Sequence, residues 1–200
     1  MSGPRLVRYA LWGLVAIAAI ALGLLLSDAL RGDDPPIAEA LQFGEPFALV
    51  THTGDAITSD DLLGHPSLMF FGFTFCPDVC PTALAEVSGW LQELGSESED
   101  LAVYFVTVDP ERDQPDPLGE YLSVFDPTIV GITGPIDDVH AMLDGYHVFY
   151  ERYEAEGVGY LMDHYSSFYL LDANGDFVGA IAYNELREDA LARIRRLVDG

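Results

Sequence analysis

The 200-residue chain has no lysine and only nine arginines against 33 acidic residues, for a net charge of −24. So few cations exclude nucleic-acid binding, because phosphate backbones are met by clustered Lys and Arg. Cysteine is scarcer still, with Cys76 and Cys80 alone. Internal repeats and low-complexity tracts are lacking. Disorder is excluded as well, since half the residues are hydrophobic and 12% are aromatic.

Charge is also missing from one long stretch. No charged residue occurs between Arg8 and Asp28, and about 19 such residues at ~1.5 Å rise reach ~28 Å, close to the ~30 Å hydrocarbon core of a bilayer. Arg5 and Arg8 precede this run and Asp28 follows it, so positive charge holds the N-terminus inside. The expected organisation is a short cytoplasmic N-terminus (1–8), a transmembrane anchor (9–27) and a polar linker (28–42) holding Asp33, Asp34, Pro35 and Pro36. Residues 43–200 then form one domain, long enough for a core without staples. Ser27-Asp28-Ala29 offers a signal-cleavage alternative, although the apolar run exceeds the usual signal core of roughly 7–15 residues. Either way the domain lies on the extracytoplasmic, periplasmic side of the inner membrane, where disulfides are permitted. Residues 1–31 carry a net +2 and the remainder −26. The domain should attract cations or a basic partner, and the same charge serves as a solubilising surface.

Apolar periodicity gives an alternating pattern. Strands are expected at Phe47 to Thr51, Leu68 to Phe73, Leu101 to Val108 and Ile129-Val130, with Val148 to Tyr153 extended. Leu68 to Phe73 and Leu101 to Val108 are continuous apolar runs, as in strands buried on both faces. Helical stripes run over Pro81 to Leu94, Pro117 to Phe125, Ile136 to Tyr146 and Glu185 to Val198. Ser167 to Leu171 and Phe177 to Tyr183 flank Asn174-Gly175, a hairpin signal. The fold class is therefore α/β, a mixed sheet with helices on both faces. Asp172, Asn174 and Asp176 alternate like the start of a calcium loop, but Tyr183 stands where the bidentate Glu belongs. They read as a turn.

The chemistry concentrates where Phe70-Phe71-Gly72-Phe73-Thr74-Phe75 runs into Cys76-Pro77-Asp78-Val79-Cys80-Pro81. Ligands bind beyond the carboxyl ends of strands in such sheets, and a helix N-terminus depresses a thiol pKa. Cysteines four apart on one helical turn share a face, with Cα atoms ~6 Å apart, inside the disulfide range. The pair can hold a soft metal when reduced or form a bond when oxidised. A merely stapling disulfide would close so short a loop that it restrains little chain entropy.

Five histidines could complete a metal site. His52 and His65 adjoin turns, and His140 and His147 lie on or just past an amphipathic helix, so structural or solvated roles suit them. His164, in Asp163-His164-Tyr165-Ser166-Ser167 at the start of the hairpin strand, is the best candidate. Asp163 could orient it, although neighbours along a strand face opposite ways. Asp109 follows a buried parallel strand as Cys76 does, which puts both at one sheet edge. It fits a supporting or docking role, or equally a local cap and ion pair. Asp78, between the cysteines, is the third acidic candidate.

These segments together resemble the Sco/SenC family of membrane-tethered copper proteins. Phe71 to Thr82 resembles the family's cysteine motif, Val106 to Asp113 its acidic loop, and Gly131-Ile132-Thr133-Gly134 a later marker. Asp163-His164, with Tyr169-Leu170 and Asn174-Gly175, resembles its histidine segment. The similarity runs from Phe43 to Val198. It implies a thioredoxin-like fold, with copper bound by Cys76, Cys80 and His164. It further implies delivery of copper to the binuclear centre in the copper-bearing subunit of cytochrome c oxidase, or reduction of that centre's cysteines. An upstream copper donor or thiol reductant is implied with it. Thiolates select Cu(I), and an imidazole admits Cu(II). One departure stands out: the family has Ser or Thr after the ligand His, and here it is Tyr165. Different surroundings for His164 are expected from it. A peroxidase reading of Val79 to Thr82 lacks its orienting Thr, since Pro77 stands there.

Overall fold

Ser67–Gly72 forms β3, buried along its whole length, and Ala102–Thr107 forms β4 beside it in parallel, with Ser67 opposite Ala102 and Gly72 opposite Thr107. Neither strand alternates polar with apolar because both of its faces are covered. The computed structural model describes residues 12–13, 43–157 and 159–200. The expected N-terminal stub, anchor and linker lie, but for Trp12 and Gly13, outside the described residues. Among those described, no helix is long and apolar enough to cross a membrane.

β5 (Ile129–Thr133) extends the parallel core next to β4. The other strands of this sheet are antiparallel. β8 (Ser167–Leu171) pairs with β3 and β9 (Phe177–Ala182) with β8. β1 (Ala48–Thr51) pairs with β5, and β2 (Ala56–Thr58) with β1. The order is β2-β1-β5-β4-β3-β8-β9. The turn at Asp172 forms as expected, its carboxylate accepting the N–H groups of Asn174 and Asp176.

Four helices follow the sequence stripes closely: α1 (Val79–Leu94), α2 (Pro115–Leu122), α3 (Ile136–Gly145) and α4 (Arg187–Asp199). Successive strand residues face opposite ways, so Phe70 and Phe71 serve different layers. Phe70 packs on Phe105 and Phe168 beneath α1 and α2, where Trp90 meets Phe168 at 5.2 Å and Tyr121 meets Phe105 at 5.9 Å. Phe71 faces Tyr169 at 5.2 Å and Tyr146, just past α3, at 6.0 Å. Each such ring contributes roughly 1.5–3 kcal/mol by burial. Helices cover both faces of a thioredoxin-like mixed α/β sheet.

Two strands were not expected. β2 is three residues long, too short for a period to show. β7 (Gly159–His164) pairs antiparallel with β6 (Tyr150–Ala155) in a separate two-stranded ribbon. His164 therefore ends a ribbon strand rather than opening the hairpin strand, and Tyr150 stands opposite it.

Candidate metal centre

The site begins where β3 runs out. A Cβ on Gly72 would lie 2.9 Å from the Phe105 ring and 3.0 Å from Cys80 Sγ. Only glycine lets the cysteine pack against the strand end. Cys80 is fully buried as the second residue of α1. Pro81 follows in the first turn, where its missing N–H leaves no gap in the ladder. Cys76 is part-exposed in the loop ahead of the helix, so the two cysteines do not share one helical turn as expected. They meet across the helix start instead: the Cys80 N–H donates to Cys76 Sγ at 3.4 Å.

That arrangement separates the two thiols. The Cys80 S–H donating to Cys76 is the largest influence, and it brings the Cys76 thiol down from 9.0 to about 4. Burial opposes this, while His164 and the N–H groups of Cys80 and Asp78 assist it. Cys80 moves the other way, raised by its bond to Cys76, by burial and by the charge on Cys76. The first proton leaves Cys76, and Cys80 keeps its own. Both cysteines are unbridged.

His164 faces this pair from the ribbon. Its Nε2 is 3.7 Å from Cys80 Sγ, although 84 residues separate them in sequence. Its Nδ1–H donates to the Tyr165 carbonyl at 2.9 Å. This pairing puts a proton on Nδ1 and turns Nε2 toward the sulfurs. Phe73 and Phe70 hold the ring edge-on, at 5.7 and 6.5 Å. Asp163 is exposed and sits opposite Glu151 in the ribbon. The ring nitrogens of His164 thus find Cys80 and a main-chain carbonyl rather than Asp163. The Asp78 side chain is exposed too, and its contribution is a main-chain N–H to Cys76. Tyr165 is 61% exposed, so the departure from Ser or Thr leaves the bond to the imidazole in place.

The other four histidines are occupied elsewhere. His52 Nδ1 accepts the Gly131 N–H at 3.0 Å, and His65 bonds the Tyr104 hydroxyl at 3.3 Å. His140 packs at a tilt on Tyr150, and His147 meets Phe43 edge-on.

Parallel pairing of β3 and β4 puts the loop holding Asp109 at the same sheet edge as the cysteines. Asp109 is buried and accepts from Arg112 Nε and, at 2.8 Å, from the Tyr160 hydroxyl. Asp113, which sequence reasoning placed in the same acidic loop without a role of its own, is fully buried. That carboxylate accepts the Thr74 N–H at 3.0 Å, the Thr74 hydroxyl and, at 2.7 Å, the Thr107 hydroxyl. Its carbonyl accepts the Thr133 hydroxyl at 2.6 Å. One residue thereby ties together the ends of β3, β4 and β5. Burial raises its pKa, and the Thr107 and Thr74 donors oppose that rise. The signal was present in sequence: β4 and β5 end in Thr107 and Thr133, and Thr74 stands two residues past β3.

Cys76, Cys80 and His164 are in mutual hydrogen-bonding contact rather than spread about a common point. Among the described residues, no three His, Cys, Asp or Glu side chains are already arrayed as a metal cage. The spacing nevertheless fits an ion. Bonds of ~2.3 Å to sulfur and ~2.0–2.1 Å to nitrogen, opened to ~110–120°, separate the two ligand atoms by ~3.6–3.8 Å, and the observed separation is 3.7 Å.

Residues 35–199 match the SCO1/SenC family. An SCO2-like protein of Rickettsia felis is 38% identical over 167 residues, spanning 79% of this chain and 80% of that protein. The structure of Bradyrhizobium japonicum ScoI with copper bound is similar at a TM-score of 0.73 and 38% identity, covering 78% of this chain and 99% of that one. Yeast Sco1 with copper bound is similar at a TM-score of 0.73 and 38% identity, covering 80% and 90%. The chain belongs to the SCO1/SenC family.

Proposed function

We propose that Cys76, Cys80 and His164 bind one copper ion and that the chain hands it to the binuclear copper centre of cytochrome c oxidase. The observation that carries this reading is the approach of His164 Nε2 to within 3.7 Å of Cys80 Sγ. Copper bound to relatives of the same family supports the choice of metal. The chain's own residues supply the rest. Cys76 is already disposed to be a thiolate, and binding displaces the proton that Cys80 lends it. Two soft sulfurs suit Cu(I), and the imidazole extends the site to Cu(II). Three ligands leave one side open. Cys76 is part-exposed and the flanking Phe75 and Tyr165 are exposed, so a recipient protein can reach the ion. Residues 9–27 serve as the anchor that holds the domain at the extracytoplasmic face of the membrane carrying the oxidase.

Titration of the reduced chain with Cu(I) against a competing chelator tests this. One equivalent should bind, and Cys76→Ser, Cys80→Ser and His164→Ala should each abolish or greatly weaken it. Undiminished binding in all three variants overturns the proposal.

The low-pKa Cys76 thiol also supports a second reading, thiol-disulfide exchange on the oxidase's copper-site cysteines. The Cys76 thiolate would attack a partner disulfide, and Cys80 would resolve the mixed disulfide, leaving the partner reduced and this pair oxidised. That chemistry does not need the imidazole. A His164→Ala chain that still supports oxidase assembly would favour exchange over copper delivery.

A further inference from the structure

The histidine that faces the cysteines rides on a ribbon forming a sheet of its own. Among the described residues no β-ladder fixes that ribbon against the seven-stranded sheet, so beyond its short chain connection to β8 side chains set its position. Arg112 occupies the joint. Its Nε–H donates to Asp109 and its Nη1 to the Tyr160 carbonyl at 3.1 Å. The guanidinium lies over the Tyr160 ring at 3.8 Å and faces Phe75 at 4.8 Å and Phe73 at 5.9 Å. The Tyr160 hydroxyl returns to Asp109 at 2.8 Å, closing the circuit. Arg112 Nη2 is buried without a partner among the described residues. A buried donor left unpaired is costly, which marks this arginine as one placed for its stacking rather than as a solvated surface charge.

The two sides of the joint are the two halves of the site. Phe73 and Phe75 begin the loop that carries Cys76, and Phe73 also touches the His164 ring. Tyr160 and His164 stand four apart on β7, on one face of the strand. Arg152 also stacks on Tyr160, at 3.7 Å, but it belongs to β6 of the same ribbon, and its one tie across the joint is the exposed pair with Glu111 at 3.1 Å, which adds little, as surface pairs do.

We propose that Arg112 is a positioning residue. By clamping Tyr160 to the Phe73–Phe75 loop, it holds β7 so that His164 Nε2 stays against Cys80. The clamp deepens the copper-site reading and rests on it for one of its two tests. Lysine cannot replace it, because an ammonium lacks the planar fork that stacks on Tyr160 while bonding two acceptors.

The test uses full-length Arg112→Gln, Arg112→Lys and Tyr160→Phe variants. In metal-free protein, amides of residues 150–155 and 159–164 should exchange with deuterium about tenfold faster in both Arg112 variants, while β3 and β4 keep their protection. Ribbon amides exchanging at the unmodified rate in Arg112→Gln overturn the clamp. Should β3 and β4 also loosen, Tyr160→Phe, which removes only a hydroxyl, is read by the same criterion. In the metal arm, Arg112→Gln should keep one Cu(I) equivalent at about 10–100-fold lower affinity, the range seen when a ligand's supporting partner is lost. Its Cu(II) spectrum should move toward that of His164→Ala. Unchanged affinity and spectrum also overturn the clamp. A chain with no copper uptake at all would defeat the copper reading, and the exchange arm would still decide the clamp.

Discussion

Replacing Asp113 with Ala removes an acceptor shared by three donors. The Thr107 hydroxyl is fully buried and also accepts the Asp109 N–H at 2.9 Å, so its proton has nowhere else to go. The Thr74 N–H is stranded as well. Each buried unsatisfied donor costs ~1–3 kcal/mol, or ~2–6 kcal/mol for the two. Removing a carboxylate that burial makes hard to ionise offsets part of this. The expected net loss is about 3 kcal/mol, or ~6–12 °C in Tm for a domain of this size. Asp113→Asn keeps an oxygen for Thr74 N–H and Thr107, and its amide can donate to the Thr74 hydroxyl, so its loss should be about 1 kcal/mol. Urea denaturation of the metal-free chain, followed by tryptophan fluorescence, measures both. A loss under ~0.5 kcal/mol for Asp113→Ala, against the cost of an unpaired buried donor, would refute the reasoning. So would equal losses in the two variants. The pH dependence follows from the same group. Its pKa is raised above 3.8 in the folded protein, so the native state holds the proton longer than the unfolded chain does. Its contribution to stability is therefore largest at low pH and falls as pH rises from 3.8 through the folded value. Asp113→Asn should flatten that part of the stability profile, and an unaltered profile would count against the assignment.

Iodoacetamide should modify Cys76 and spare Cys80 in the reduced, metal-free protein, with a rate profile turning over far below pH 9. Cys80→Ala should move that profile upward, and a midpoint near pH 9 in the unmodified chain would contradict the thiol geometry. Gly72→Ala drives a methyl against Cys80 Sγ and Phe105 and should cost ~1–3 kcal/mol by overpacking, measured by the same denaturation. Tyr165→Ser should leave Cu(I) affinity within about threefold, because the bond to His164 Nδ1 comes from the main chain. A larger loss would give the exposed ring a role in the site.

How much of this was legible in sequence depended on the kind of signal. β3 and β4 showed themselves because strands buried on both faces are continuous apolar runs, β8 and β9 because they flank Asn174-Gly175, and the helices because their stripes repeat every three to four residues. β7 did not show. Gly159 to His164 mixes apolar and polar residues, and it forms a ribbon whose pattern reflects docking on one side only. The cysteine pair was placed correctly at the strand-to-helix junction, but not its geometry. That depends on where α1 starts, and the start leaves Cys76 outside the helix. Asp109 drew notice for following a buried strand. Arg112 and Asp113 were noticed only as part of the acidic loop, because the partners that give them separate roles lie 48 and 39 residues away at Tyr160 and Thr74. Local pattern carries no trace of a bond made across the top of the sheet.

X-ray absorption on the Cu(I)-loaded chain, compared with its His164→Ala variant, addresses the central claim most directly. The account predicts two sulfurs and one imidazole nitrogen about the metal, with the nitrogen lost in the variant. A copper environment that is the same in both proteins would contradict it.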